Sequence, residues 1–553
     1  MLEGIKARIE EYTLALTAVE SAVSSTGEAD VADFIYNQLK KSPYFQQHPE
    51  YLFCEPVAED DLYGRKTVVA LVRGTKGGQS DKTVVLLGHI DTEGYDDYGA
   101  LRDIATKPAE LKEAMRNMDL PEDIRRDLEG DDWLFGRGAL DMKSGVASHI
   151  AMIEEAAKHP EQLRGNLLLF SEPDEEANSS GMFAADRVAR RLKEQMGLQY
   201  LAVVNTDWMT GRYEGDDNKY IYIGTVGKLL PSFYIAGKAT HVSQAFEGID
   251  ANLLAAELVR EISLSEDLCD VADGESTVPP ISLRLQDLKK VYTIQTAGHA
   301  NVYFNYATHA QEPDEVLAKL VEKADTAFRN VIRRLDDSYR TYCEKSGTPY
   351  ETLPWVPKVL TFEQLYSRVK AIVGDGLDER LARLTDEILA DPEADDRIAS
   401  LRLVEMVQGM NPDRDPVIVV YFSPPYYPHI YVKGDTPEDK RLLDAVEKAV
   451  ATVQERYPYK FAVRKFYPYI SDLSYCGITE DEYVLASLTK NMPAWPKKYA
   501  LPVEDIRSLN VPVVNIGPYG KEPHQFGERL HRPYTFNAMP ELLYHTVLEL
   551  LND

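Results

Sequence analysis

Cysteine is scarce: Cys54, Cys269, Cys343 and Cys476 are the only four in 553 residues. Thiols so few and so scattered build neither a disulfide framework nor a thiolate metal site, and they read as reduced core residues of an intracellular protein. Positive charge is short as well, with 61 Lys and Arg against 90 Asp and Glu and a formal net charge of -29. That balance repels phosphate backbones and anionic lipid, and no local basic patch offsets it, so neither nucleic acid nor a membrane is an expected partner. Long apolar runs are missing: none approaches the roughly 20 residues of a membrane span. The start, Met1-Leu-Glu-Gly-Ile-Lys-Ala-Arg, carries charges where a secretory signal needs an apolar core, which makes the cytoplasm the expected compartment.

What is present is ordinary globular material, 44% hydrophobic and 27% charged. At this length one core does not suffice, and at least two domains are expected. Short apolar runs read as buried strands: Val68 to Val72, Val84 to Leu87, Leu167 to Phe170, Leu201 to Val204 and Val513 to Ile516. Helical stretches between them, such as Ser144 to Lys158 and Ala184 to Gln195, argue for an α/β domain with a largely parallel sheet. From about Gly227 the pattern becomes strand–helix–strand–strand–helix, ending in a long helix from Pro313 to Leu335. Helical spacing in residues 361–411 reads as an insertion into that second domain. The expected division is 1–227 and 431–553 for one domain and 228–430 for the other.

Each of the last four strand runs leads into a polar cluster, where ligands gather in open α/β sheets. Gly88-His89-Ile90-Asp91 places an imidazole and a carboxylate two residues apart, on one face of an extended segment. Asp91 is then able to hold one nitrogen of His89 and leave the other for a metal; a plain hydrogen-bonded histidine at a strand end is the alternative. Gly136-Arg137-Gly138-Ala139-Leu140-Asp141 flanks a carboxylate with glycines, and Asp141 reads either as a helix cap or as a bridge between two cations. Ser171-Glu172-Pro173-Asp174-Glu175-Glu176 crowds three carboxylates together. In an extended segment Glu175 and Glu176 point to opposite sides, one toward metal and one toward water; a solvated acidic loop is the alternative. Asn205-Thr206-Asp207 and the stretch from Gly517 to Arg529, with His524, complete the set. Two imidazoles and several carboxylates at strand ends suit zinc, with cobalt or manganese as substitutes.

In the order of these clusters the chain resembles the co-catalytic di-zinc amidohydrolases: bacterial glutamate carboxypeptidase, aminoacylases, desuccinylases and dipeptidases. Long-form members linked to arginine utilisation, which share Asn-Thr-Asp at the fourth position, look most similar. The resemblance implies a phosphorylase/hydrolase-like zinc peptidase domain with an inserted α+β, ferredoxin-like lid. It implies that Asp141 bridges two zinc ions, with His89 and Asp207 completing one and Glu176 and His524 the other. Glu175 is then the general base and Asp91 orients His89. Gly237-Lys238-Ala239-Thr240-His241 resembles the lid motif whose histidine, in dimeric members, reaches the partner's active site, so a homodimer is an expectation. Where many members have Asp-x-Arg, this chain has Asn301 to Ala307 without arginine, which removes the usual grip on a free α-carboxylate. The implied activity is hydrolysis of an amide bond in a small peptide or N-acyl amino acid, in arginine catabolism. A di-metal hydrolase of another bond, such as a phosphoester, and a catalytically silent ligand-binding regulator are the rival readings.

Overall fold

The structure, a computed structural model, describes residues 1–391 and 394–552. It divides into two compact units, the first made of Met1–Thr225, Ile430–Ile478 and the chain from Pro502 onward, the second of Val226–His429 and Thr479–Leu501. In chain order the first unit opens with helix α1 (Leu2–Thr17) and strands β1 (Leu52–Pro56), β2 (Lys66–Arg73) and β3 (Lys82–His89). Helix α2 (Ser144–Lys158), β4 (Asn166–Glu172), α3 (Ser180–Met196), β5 (Gln199–Asn205) and β6 (Asn218–Tyr222) follow. The second unit supplies β7 (Gly227–Ala236), α4 (Ala251–Ile262), β8 (Ile281–Asp287), β9 (His299–Thr308), α5 (Pro313–Ser346) and β10 (Val359–Thr361). It continues with α6 (Phe362–Val373), α7 (Gly376–Leu389), α8 (Asp396–Met410) and β11 (Val417–Tyr427). The chain then returns to the first unit through α9 (Pro437–Gln454), β12 (Lys460–Arg464), β13 (Val513–Asn515) and α10 (Met539–Asn552).

The sheet of the first unit has the order β1-β2-β4-β3-β5-β13-β6-β12. Its centre is parallel, β3 pairing with β4 and β5, and β5 with β13. Toward one edge it is antiparallel, because β2 runs against both β1 and β4. The expectation of a largely parallel sheet is corrected to a mixed one, and the reason is length. The link from β2 to β3 spans only residues 74–81, whereas a parallel crossover needs a dozen or more. Helix α2 is buried along almost its whole length, with Val146, Ile150 and Ile153 in one core together with Val84, Leu86, Leu167 and Leu169 of the sheet. Burial on that scale fixes the helix against the strands that carry the polar clusters.

The second unit has the sheet order β8-β9-β7-β11-β10. The first four are antiparallel neighbours, and β10 joins β11 in parallel. With α4 and α5 between the strands this is the ferredoxin-like βαββαβ arrangement. Helices α6, α7 and α8 occupy the expected insertion and pack through Leu365, Val369, Leu377, Val404 and Val407; its residues 392 and 393 lie outside the described residues. The segment Thr479–Leu501, read from the sequence as part of the first domain, groups with the second unit.

Candidate metal centre

Four strands deliver side chains to one edge of the first sheet. Register sets His89 beside Glu172, Leu87 beside Asn205, and Asn205 beside Asn515, so the carboxyl ends of β3, β4, β5 and β13 lie level. The loop carrying Asp141 enters the same place, and Gly145 at the start of α2 lets it. A Cβ on Gly145 would lie 2.3 Å from the Thr206 carbonyl oxygen, inside van der Waals contact. Only glycine lets the helix press against the Asn205-Thr206-Asp207 loop.

Asp141 divides its two oxygens between two imidazoles. Oδ1 is 3.0 Å from His89 Nε2 and Oδ2 is 2.6 Å from His524 Nε2. Glu176 lies 3.1 Å from the same nitrogen of His524. Asp141 makes no capping bond at the start of α2, which disposes of the helix-cap alternative. His524 has a backbone φ of +60°, the left-handed region a β-carbon disfavours, so the loop holds it in a costly conformation at the site. Glu175 and Glu176 are not in an extended segment, as the sequence suggested. Strand β4 stops at Glu172, Asp174 takes a φ of +74°, and the two glutamates sit in a turn. Asp91 organises that turn, its carboxylate accepting the N–H groups of Glu175 at 3.2 Å and Glu176 at 3.0 Å. Its Oδ1 also lies 3.5 Å from His89 Nδ1, while its backbone carbonyl is nearer that nitrogen, at 3.2 Å.

Asp207 is buried, and its Oδ1 accepts the Trp208 N–H at 2.8 Å. Burial raises its pKa well above the ordinary carboxylate range, and the neighbouring Asp141 adds to the rise. Burial likewise lifts Glu175 well above its usual value, helped by Asp472 and Glu176 and opposed by His89. Burial and Asp141 bring Glu176 to about 7. Burial opposes protonation of the imidazoles, yet Asp141, Asp91 and Glu175 hold His89 well above its usual value, and Asp141 with Glu176 pushes His524 to about 12. The centre thus crowds more negative charge than its own groups neutralise.

His241 lies in the second unit, exposed, with Nδ1 2.6 Å from the Ser243 hydroxyl. Asn301, in the strand without arginine, is buried and donates to the Phe233 carbonyl and the Tyr421 hydroxyl. Three participants escaped the sequence reading. Glu528 is fully buried, pairs with Arg137 at 2.7 Å and accepts the N–H groups of Gly138 and Leu140, so it fixes the Asp141 loop. Asn515 is the second. Glu93 is the third: it offers an oxygen in a group with Glu176 and His524. An arginine between two glycines and a carboxylate beside Arg529 were in view, but nothing in their spacing paired them.

Residues 118–490 match the profile of peptidase family M20/M25/M40. The chain belongs to that family. It is 34% identical to Protein RocB of Bacillus subtilis (strain 168), across 99% of this chain and 95% of RocB. It is 36% identical to Uncharacterized protein YqjN of the same organism, across 97% and 95%. Aminopeptidase PepT from Bacillus cereus ATCC 10987 shares the fold, with a TM-score of 0.53 at 13% identity over 99% of both chains. Family M20/M25/M40 members are hydrolases, and the donor set fits a pair of divalent cations. His89, Asp141 and Glu176 offer ligand atoms all within 4.8 Å of one another, as do Glu93, Glu176 and His524. The buried Glu175 Oε1 has no hydrogen-bond partner among the described residues.

Proposed function

We propose that this M20-family hydrolase cleaves an amide bond in a small peptide or an N-acyl amino acid, with two zinc ions, or cobalt or manganese, as its metals. The single observation that carries this reading is Asp141 shared between the His89 and His524 imidazoles, with Glu176 beside them. His89 and Asp207 would hold one cation, Glu176 and His524 the other, and Asp141 both. Bound there, the cations would supply Lewis acidity toward the scissile carbonyl and a water. Glu175 takes that water's proton and returns it to the leaving nitrogen, the work of a positioned carboxylate base. Asp91 keeps Glu175 and Glu176 in register through their N–H groups. His241 supplies a further contact to the developing charge, and a homodimer is the assembly in which it does so. Arginine or ornithine derivatives are the first substrates to try, and the cytoplasm is the proposed compartment.

A silent regulator is disfavoured because the base and all five ligand positions carry side chains able to act. Phosphoester cleavage is disfavoured by the -29 net charge. The test is Glu175→Gln against a panel of dipeptides, N-acyl amino acids and phosphoesters. Turnover of the amide substrates should fall about 10²–10⁴-fold with metal content unchanged. Full activity in that variant would remove Glu175 from the mechanism.

A further inference from the structure

We infer that Tyr467 is a positioning residue of the metal centre, its hydroxyl donating to the Asp207 carboxylate when that carboxylate holds a cation. This rests on the two-cation reading of the same centre and adds a residue that reading does not use.

Tyr467 follows β12 and is tied to the chain beyond β6, its N–H donating to the Gly224 carbonyl at 2.8 Å. Three rings meet its own at steep angles, with centroids 6.2 Å away for Trp208, 5.2 Å for Tyr222 and 5.3 Å for Tyr469. Trp208 is the residue after Asp207 and gives its N–H to Asp207 Oδ1. The phenol ring is thus held against the loop that carries Asp207.

Packing accounts for the ring but not for its oxygen. Tyr467 has no exposed surface, and its hydroxyl has no hydrogen-bond partner among the described residues. An unpaired buried hydroxyl is a net cost, and phenylalanine would fill the same space without it. Burial, then Asp207 and Asp141, raise the phenol well above the usual tyrosine range, so it stays a donor. Those two carboxylates are also the charged groups that act on it most strongly. Asp141 already divides its oxygens between His89 and His524. Asp207 has capacity to spare: a carboxylate offers about four lone-pair sites, of which the Trp208 N–H takes one and a cation another. A neutral donor steadies that carboxylate without competing with the cation for its charge, and such partners orient metal ligands.

The experiment titrates Zn²⁺ into metal-free wild type, Tyr467→Phe and Tyr469→Phe against a competing chelator, and melts each protein metal-free. Tyr467→Phe should bind one of its two zinc ions about 10- to 100-fold more weakly, the loss typical when a ligand's orienting partner is removed. Metal-free, it should melt no lower than wild type, because the missing hydroxyl had no partner to lose. A tyrosine that serves only the fold would show the reverse, a lower melting temperature with zinc affinity unchanged. Tyr469→Phe, whose ring packs on the same Trp208, should match wild type in both measurements. Unchanged zinc affinity in Tyr467→Phe, a lower metal-free melting temperature for it, or an equal zinc loss in Tyr469→Phe would overturn the assignment. Wild type that takes up fewer than two zinc ions would overturn it together with the two-cation reading. If zinc behaves as described while no amide is cleaved, Tyr467 stands and the amide-hydrolase reading fails.

Discussion

Asn515 closes a ring of two 2.8 Å hydrogen bonds on the backbone of Asp207: its Oδ1 accepts the Asp207 N–H and its Nδ2 donates to the Asp207 carbonyl. Both residues are buried at the ends of neighbouring parallel strands, so the ring fixes the carboxylate's direction from behind. Asn515→Ala leaves two buried backbone groups unpaired, at a cost of about 2–4 kcal/mol. The expected outcome is a lower urea midpoint and weaker retention of one of two cations. Metal analysis after dialysis at graded chelator concentrations checks it, and unchanged retention of both would separate Asn515 from the centre.

Gly517 presses on the same loop from the other side. A Cβ there would lie 1.6 Å from the Asp207 carbonyl oxygen, a backbone atom that has nowhere to go. Gly517→Ala should cost more than the roughly 1–3 kcal/mol typical of overpacking. Gly409, inside α8, would meet nothing within 4 Å, and Gly409→Ala should stabilise by about 0.5–1 kcal/mol through helix propensity. Paired thermal melts test the contrast, and two variants of equal melting temperature would contradict it.

These neighbours show what the sequence made legible and what it did not. His89, Asp141, Glu176 and His524 were readable because each follows a short apolar run or a glycine turn, and strand ends in an α/β sheet share an edge. Asn515 was invisible, because it closes the run Val513 to Ile516 and nothing local says that its amide turns toward a backbone 308 residues away. The antiparallel run of β2 was not legible from its apolar content, which reports burial and not direction; only the eight-residue link to β3 held that information. Glu175 and Glu176 were assigned to an extended segment because a turn built by Asp91 from another strand leaves no local signature.

Arg137 and Glu528 form a charge pair at 2% and 0% exposure beneath the Asp141 loop. Arg137→Met leaves Glu528 a buried uncompensated charge, which typically costs about 3–5 kcal/mol, whereas Glu528→Gln leaves Arg137 its second partner, Asp97 at 2.6 Å, and should cost less. Both should weaken metal binding, since Glu528 also accepts the Gly138 and Leu140 N–H groups. The double variant should be more stable than the sum of the two losses implies. A denaturant double-mutant cycle measures this; strict additivity would mean that the two residues act independently.

His149 offers a prediction about acid. It lies inside α2 with no exposed surface, neither ring nitrogen has a hydrogen-bond partner among the described residues, and burial lowers its pKa to about 3. An unfolded histidine titrates near 6.5. Between those values the unfolded chain binds a proton that the folded chain refuses, so the folded state loses stability as pH falls through about 6.5 toward 3. At pH 5 the loss from this one residue is about 2 kcal/mol relative to pH 8. His149→Leu keeps the volume roughly and removes the titration. The stability difference between wild type and this variant should therefore shift by that amount, in the variant's favour, as pH drops from 8 to 5. Urea titrations at matched pH values measure it, and taking differences cancels the carboxylates common to both proteins. Curves that stay parallel would mean that His149 is solvated or partnered inside the fold and carries no acid liability.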